Sequence, residues 1–197
     1  TAAITNALFN ISFMKFLGEI GVSAYCIVAY ICYVFRCLFT GLSQGIQPII
    51  SYNYGLKELE RVRKTFKIGH IVTFIISSSI LLGVISYGKN LVKLFNNDTP
   101  LINLASHGLI LFSSAIIFQG ANFINISYLQ SKGMTKLSNL ISSLRSIVFF
   151  IIAIIILPIF LKETGVWLSL PTADFMCFTF SCILLKKDIL LLFKRNR

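Results

Sequence analysis

The residue best placed to do chemistry is Asp174, the lone carboxylate in an otherwise apolar stretch from Val166 to Leu185. An ionisable side chain at bilayer depth costs at least ~3 kcal/mol on the mildest insertion scale, so it usually faces a polar cavity or partner and marks a transport path. Asp174 lies nine residues after Gly165, which at ~1.5 Å per residue puts it about 13 Å inside the outer boundary, near the middle of a ~30 Å core. Burial there favours the neutral acid, whereas a bound cation or Arg holds the charge. Asp174 is therefore expected either to be protonated or cation-bound during a transport cycle, or to be bonded to a neighbouring side chain. A second set, Gln119, Asn122, Asn125 and Tyr128, recurs at three-residue steps along one side of a helix. These groups either line a cavity or ligate a hard cation through oxygen, or they hydrogen-bond one helix to another. Arg36 falls mid-span in CYVFRCLF; it either reaches Asp174 across an estimated depth difference of roughly 9 Å or snorkels to the inner surface.

Other chemistry is weakly supported. His70 and His107 stand near the ends of apolar segments, where hydrogen-bonded structural histidines are more common than proton carriers. Cys26, Cys32, Cys37, Cys177 and Cys182 all fall in apolar segments, at spacings that lack the close Cys/His pairs zinc needs; they read as small packing residues. Glu19, Glu163 and Asp98 are scattered in polar connections, and there is no P-loop, Gly-rich dinucleotide turn or zinc-protease helix. No catalytic residue, metal site or cofactor is expected, and transport driven by ATP on this chain alone is unsupported.

The elements that must position these residues are membrane helices. The chain is 56% hydrophobic, with mean hydropathy +0.82 and only 13% charged residues, against ~25% charged in a soluble domain. Its net charge of +11 first suggests nucleic acid, but the basic residues are grouped. Lys57, Arg61, Arg63, Lys64 and Lys67 form one cluster, Lys132, Lys136 and Arg145 a second, and Lys186, Lys187, Lys194, Arg195 and Arg197 a third. Poor segments lie between them, the alternation that successive crossings produce when Lys/Arg-rich loops stay cytoplasmic. The sign of the charge reports topology, and no nucleic-acid partner is expected.

About six crossings follow: Thr1 to Phe16, Gly21 to Ile50, Ile68 to Tyr87, Leu101 to Tyr128, Leu137 to Leu161 and Val166 to Leu185. The first is shorter than the ~20 residues that span a bilayer. That short span and the missing initiator Met are read as residues lost upstream, and nothing resembles a signal peptide. The expected architecture is all-α, a six-helix transmembrane lobe over residues 1–187 with both ends cytoplasmic, followed by a basic tail at 188–197. Leu56, Leu59, Val62 and Phe66 recur at helical spacing among charged residues. Residues 52–66 are accordingly read as an amphipathic connector, either on the inner membrane surface or simply solvated. Thr99 before Pro100 is a good helix start. Gly41 and Gly45 share a helical face that would let a neighbouring helix approach closely.

The segment GLSQGIQPIISYNYG, Gly41 to Gly55, followed by the basic run LKELERVRK, resembles the hallmark after the eighth helix of multidrug and toxic compound extrusion (MATE) transporters. FQGANFINISYLQSKGMTKLSNLISSLRSIVFFIIAIIILPIF, Phe118 to Phe160, is similar to that family's tenth and eleventh helices, with a Gln-x-x-Gly turn at Gln130 to Gly133. TGVWLSLPTADF, Thr164 to Phe175, is similar to the start of its twelfth. The order and spacing of the three resemble the bacterial branch typified by multi-antimicrobial extrusion proteins, which have twelve helices in two lobes. The resemblance implies that this chain is the C-terminal lobe, helices seven to twelve, of an antiporter in the cell (inner) membrane. A proton or sodium gradient would drive such a protein to expel cationic, amphipathic compounds, its partners being that cargo, membrane lipid and the N-terminal six-helix lobe. The cavity or substrate candidates on this view are Gln119, Asn122, Asn125, Tyr128, Asn10, Gln47 and Arg36, with Asp174 as the ion-coupling candidate.

One departure matters. Family members with a sodium site in this lobe carry carboxylates on the seventh and tenth helices as well as the twelfth; here the seventh shows Asn6 and Asn10, and the tenth only amides, hydroxyls and His107. A complete cation cage is not expected, and the main coupling acid is expected in the other lobe. Two alternatives stay open: a related flippase for lipid-linked oligosaccharide or polysaccharide, favoured by a basic cavity, and a non-transporting membrane scaffold.

Overall fold

Two backbone reversals set the architecture. A computed structural model describes residues 2–186. It contains α1 (Ala2–Gly55), α2 (Leu59–Lys93), α3 (Thr99–Ser113), α4 (Ala115–Ser131), α5 (Thr135–Ser143), a π-helical turn (Leu144–Phe149) and α6 (Phe150–Leu184). α3 follows into α4 through Ser114 alone, and α5 runs through the π turn into α6, leaving four helical runs long and apolar enough to cross a membrane. With no strand among the described residues, the fold is all-α.

Two of the four runs fold back on themselves. The Tyr25 hydroxyl donates to Asn6 Oδ1 at 3.0 Å, although a straight helix would separate residues 19 apart by ~28 Å. The bend is at Gly18, φ 65 and ψ −155. Likewise the Phe149 and Phe180 rings lie 6.2 Å apart, because the chain reverses at Lys162, φ 50 and ψ −128. A glycine follows each bend by three residues. A Cβ on Gly21 would lie 2.4 Å from Leu17 Cβ, and one on Gly165 2.4 Å from the Leu157 carbonyl oxygen, so only a hydrogen lets the returning arm pass so close. These reversals fall in the gaps expected at residues 17–20 and 162–165.

At Gly18 the positive φ is cheap; at Lys162 a side chain pays for it, a cost of order 1–3 kcal/mol. Lys162→Gly should therefore raise stability by about 1 kcal/mol after the extra unfolded-state entropy of glycine is subtracted. A thermal midpoint in detergent no higher than that of the parent chain would refute this.

Sequence and structure differ in four local respects. Residues 52–66 are not a separate connector. α1 continues to Gly55, a three-residue turn follows, and the rest is the start of α2, whose Val62 and Phe66 are buried in the core while Leu56 and Leu59 are exposed. The turn closes α1 with Glu58 N–H to Asn53 O at 2.9 Å and Lys57 N–H to Tyr54 O at 3.0 Å, Lys57 taking the positive φ. The same motif ends α4 at Gly133, where glycine suits the Gln-x-x-Gly turn. Thr99 is the first helical residue rather than the cap, and no side chain caps that end. The fourth expected span is interrupted at Ser114, whose hydroxyl bonds the Leu111 carbonyl at 2.7 Å and competes with the helix ladder. Finally, Gly41 and Gly45 have open space beside them, so their face is not used for close packing among the described residues. The basic tail 188–197 and Lys187 lie outside the described residues.

The core has two apolar clusters. One gathers Phe9, Phe13, Tyr25, Phe112, Phe150 and Trp167; Trp167 is admitted only because Gly108 lacks a Cβ, which would meet its ring at 2.5 Å. The other joins Ile46, Ile50, Phe66, Ile124, Tyr128, Ile141 and Cys177. α4 packs on α1, α2 and α6, and serines seal its seam with α1. Ser127 Oγ donates to the Ser43 carbonyl at 2.8 Å, Ser131 Oγ to that of Gln47 at 3.1 Å, and Ser51 Oγ to that of Ser131 at 3.2 Å. In an apolar surrounding such bonds fix which helix faces meet.

Candidate functional site

Asp174 stands on the returning arm of α6, 1% exposed. Its Oδ1 accepts from Arg145 Nη1 at 3.0 Å, while Oδ2 has no hydrogen-bond partner among the described residues. Arg145 comes from the π-helical turn of the antiparallel arm. Such a turn inserts extra backbone into a helix and commonly marks functional positions. The guanidinium also lies 5.1 Å from the Phe123 ring centroid, a cation–π contact that steadies it from α4. Asn122 Nδ2 donates to the Asp174 backbone carbonyl at 2.9 Å, tying α4 to α6 at the acid. The carboxylate is thus gripped by one charge-assisted bond and keeps one oxygen unsatisfied. That oxygen is itself buried, with unused acceptor capacity that a proton on the carboxyl would satisfy without rebuilding the helix.

The pair borders a cavity of about 690 Å³ walled by both arms of α1, by α3 and α4, by the π turn and by α6. Tyr30, Tyr33, Phe112 and Phe150 supply aromatic wall; Asn6, Gln119, Ser142 and Ser146 supply polar wall; Arg36, Arg145 and Asp174 are its charged residues. Because Arg145 and Asp174 neutralise one another, the lining carries one uncompensated positive charge, at Arg36.

The residues singled out in the sequence separate into groups. Asp174, Gln119 and Arg36 do meet on this cavity. Arg36 does not pair with Asp174: Arg145 occupies that place, and the Arg36 guanidinium stacks 5.2 Å from the Tyr33 ring instead. Asn122 and Asn125 are fully buried between helices. Asn125 Nδ2 donates to Ser181 Oγ at 2.9 Å and its Oδ1 meets His70 Nε2 at 3.1 Å, so α2, α4 and α6 are joined through one amide. Tyr128 is buried with its ring stacked 4.2 Å from Phe66. Gln47 contributes its carbonyl to the serine seam, Asn10 is exposed away from the cavity, and His107 is exposed. The five cysteines are free thiols, and no group of three or more His, Cys, Asp and Glu fit to hold a metal occurs among the described residues.

Arg145 is the site residue the sequence reading does not single out: it is grouped with the second basic cluster and stands near the inner third of its span, but is not matched to Asp174. Its signal was an Arg inside the apolar run beginning at Leu137, opposite the only carboxylate of the following run.

A family model described as MatE matches residues 2–156. The multidrug export protein MepA of Staphylococcus saprophyticus is 22% identical over 174 residues, which is 88% of this chain and 38% of that protein. The chain therefore spans less than half the length of the curated relatives it matches. Among solved structures, an outward-facing multidrug resistance MATE family transporter of the MOP superfamily aligns with TM-score 0.88 at 15% identity, over 98% of this chain and 44% of its own. The MATE multidrug transporter DinF-BH aligns with TM-score 0.78 at 28% identity, over 93% of this chain and 41% of its own.

Proposed function

The chain belongs to the MatE family, and from that membership we propose that it forms one lobe, the C-terminal one, of a secondary exporter of amphipathic small molecules in the cell membrane. Its helical arms would be the six crossings of that lobe, with both ends cytoplasmic, and an N-terminal lobe would complete the pathway. The observation that carries this reading is the buried Arg145–Asp174 pair on a cavity wall. Protonation of Asp174, or a sodium ion on its open oxygen, weakens the hold of Arg145 and lets the π turn shift. The ion gradient thereby acts on the wall that cargo touches. Asp174 works here as one contributor, since no second carboxylate shares the cavity among the residues lining it. A cationic cargo, the kind the family resemblance implies, would have to compete with Arg145 for the same carboxylate.

The test is efflux in membrane vesicles from cells expressing this chain with its N-terminal lobe. Asp174→Asn should cut gradient-driven export by at least tenfold and flatten its dependence on proton or sodium concentration. Unchanged efflux with unchanged ion dependence would end the proposal. The flippase reading draws support from one observation, the net positive lining of the cavity; transport of a lipid-linked sugar with no export of soluble compounds would favour it.

A further inference from the structure

The charge of the cavity bears on what it holds. Arg36, a half-buried cation in the middle of an apolar arm, makes no salt bridge among the described residues, and Asp174 acts on it only at longer range. An unpaired intramembrane charge is expensive and is retained where it meets a polar partner. Its side chain points into the cavity, steadied against Tyr33 at 5.2 Å. Tyr30 and Tyr33 beside it are 70% and 55% exposed, and Phe112 and Phe150 form the floor. The one carboxylate on the cavity already has its charge balanced by Arg145 through Oδ1 at 3.0 Å, so the lining as a whole stays net positive.

We propose that this cavity selects amphipathic organic anions: an acidic head, carboxylate, sulfonate or phosphate, seated on the Arg36 guanidinium, with an aromatic or acyl body lying against Tyr30, Tyr33 and Phe112. The fork of an Arg matches two oxygens of such a head, and low dielectric strengthens the contact relative to water. The proposal rests on the export reading above and assigns the cargo a head charge opposite to the family expectation. An anionic lipid headgroup and a soluble organic anion present the same chemistry to Arg36.

The lone tryptophan, Trp167, packs 6.4 Å from the cavity residue Phe112 and can pass excitation to a bound pyrene. The purified chain in phosphatidylcholine nanodiscs would be titrated with pyrenebutyrate and, separately, with a pyrenebutyl trimethylammonium salt of the same size. Energy transfer from Trp167 should show the anion binding at least tenfold tighter. Arg36→Gln should erase that preference, and Arg36→Lys, which keeps the charge but loses the fork, should keep its sign and only part of its size. Displacement of pyrenebutyrate by phosphatidylglycerol in the disc would identify a lipid source; insensitivity to that lipid would identify a soluble one. Equal binding of the two dyes, tighter binding of the cation, or binding of neither by the unsubstituted chain overturns the proposal without recourse to any variant. Export that still depends on Asp174 alongside such a result would leave the transporter reading standing.

Discussion

Replacing Arg145 by Ala should destabilise the lobe by about 3–5 kcal/mol, the cost of leaving one member of a buried ion pair without its partner. The magnitude follows from what remains. Asp174 is 1% exposed and already has one oxygen without a hydrogen bond; losing Arg145 strips the other. Its escape is to take up a proton, which exchanges a buried charge for a buried hydroxyl and caps the loss. Removing both charges behaves differently. Arg145→Met with Asp174→Leu fills similar volume with apolar groups and should return to within about 1 kcal/mol of the parent, because the pair's attraction roughly offsets its desolvation. Thermal unfolding of the two single variants and the double variant in detergent supplies the comparison. An Arg145→Ala variant that melts with the parent would mean the contact carries no energy, and the pair could not gate transport either. On the proposed export reading, the double variant joined to its N-terminal lobe should fold yet fail to export, which separates stability from function at one site.

The acid was legible in the sequence and its partner was not, for a physical reason. Asp174 stands out because apolar residues surround it on both sides, and composition alone sets its cost. Recognising Arg145 requires knowing where the chain turns. The residue lies 17 positions before the bend at Lys162 and Asp174 lies 12 after it, an offset of roughly 7 Å at ~1.5 Å per residue. A similar mismatch weighed against Arg36. What closes the gap for Arg145 is the reach of its long side chain, launched from a π-helical turn whose local change of pitch no periodicity announces. The reversals themselves were visible as interruptions of apolar runs. The four-residue polar stripe was visible too, but not its use: Gln119 faces the cavity while Asn122 and Asn125 bond across to α6, because three-residue steps drift around the helix and turn successive side chains toward different neighbours.

Gly165→Ala should cost at least about 3 kcal/mol, far more than a methyl group ordinarily does. A Cβ there would stand 2.4 Å from the Leu157 carbonyl oxygen and 2.7 Å from the Pro158 nitrogen. Both are backbone atoms of the preceding arm, so no rotamer change relieves the clash; the hairpin itself must open. Opening withdraws Trp167, two residues on and 1% exposed, from contact with Phe13 at 4.3 Å. Losing the packing of a buried Trp is worth about 3–5 kcal/mol, a large part of the roughly 5–15 kcal/mol that holds a typical domain together. The control is Gly83→Ala in α2, where nothing lies within 4 Å of the added carbon and the gain in helix propensity should stabilise by up to about 1 kcal/mol. Emission from the single Trp should shift to the red and the melting point fall for Gly165→Ala only. If the two alanines melt alike, the returning arm does not pass where the structure puts it. The same opening would draw Asp174 away from Arg145, since the hairpin alone brings residues 29 apart in sequence to 3.0 Å. Export should therefore fail in Gly165→Ala even though every side chain on the cavity is intact. Restoring the lost stability by other means would restore export only if the bend regained its register.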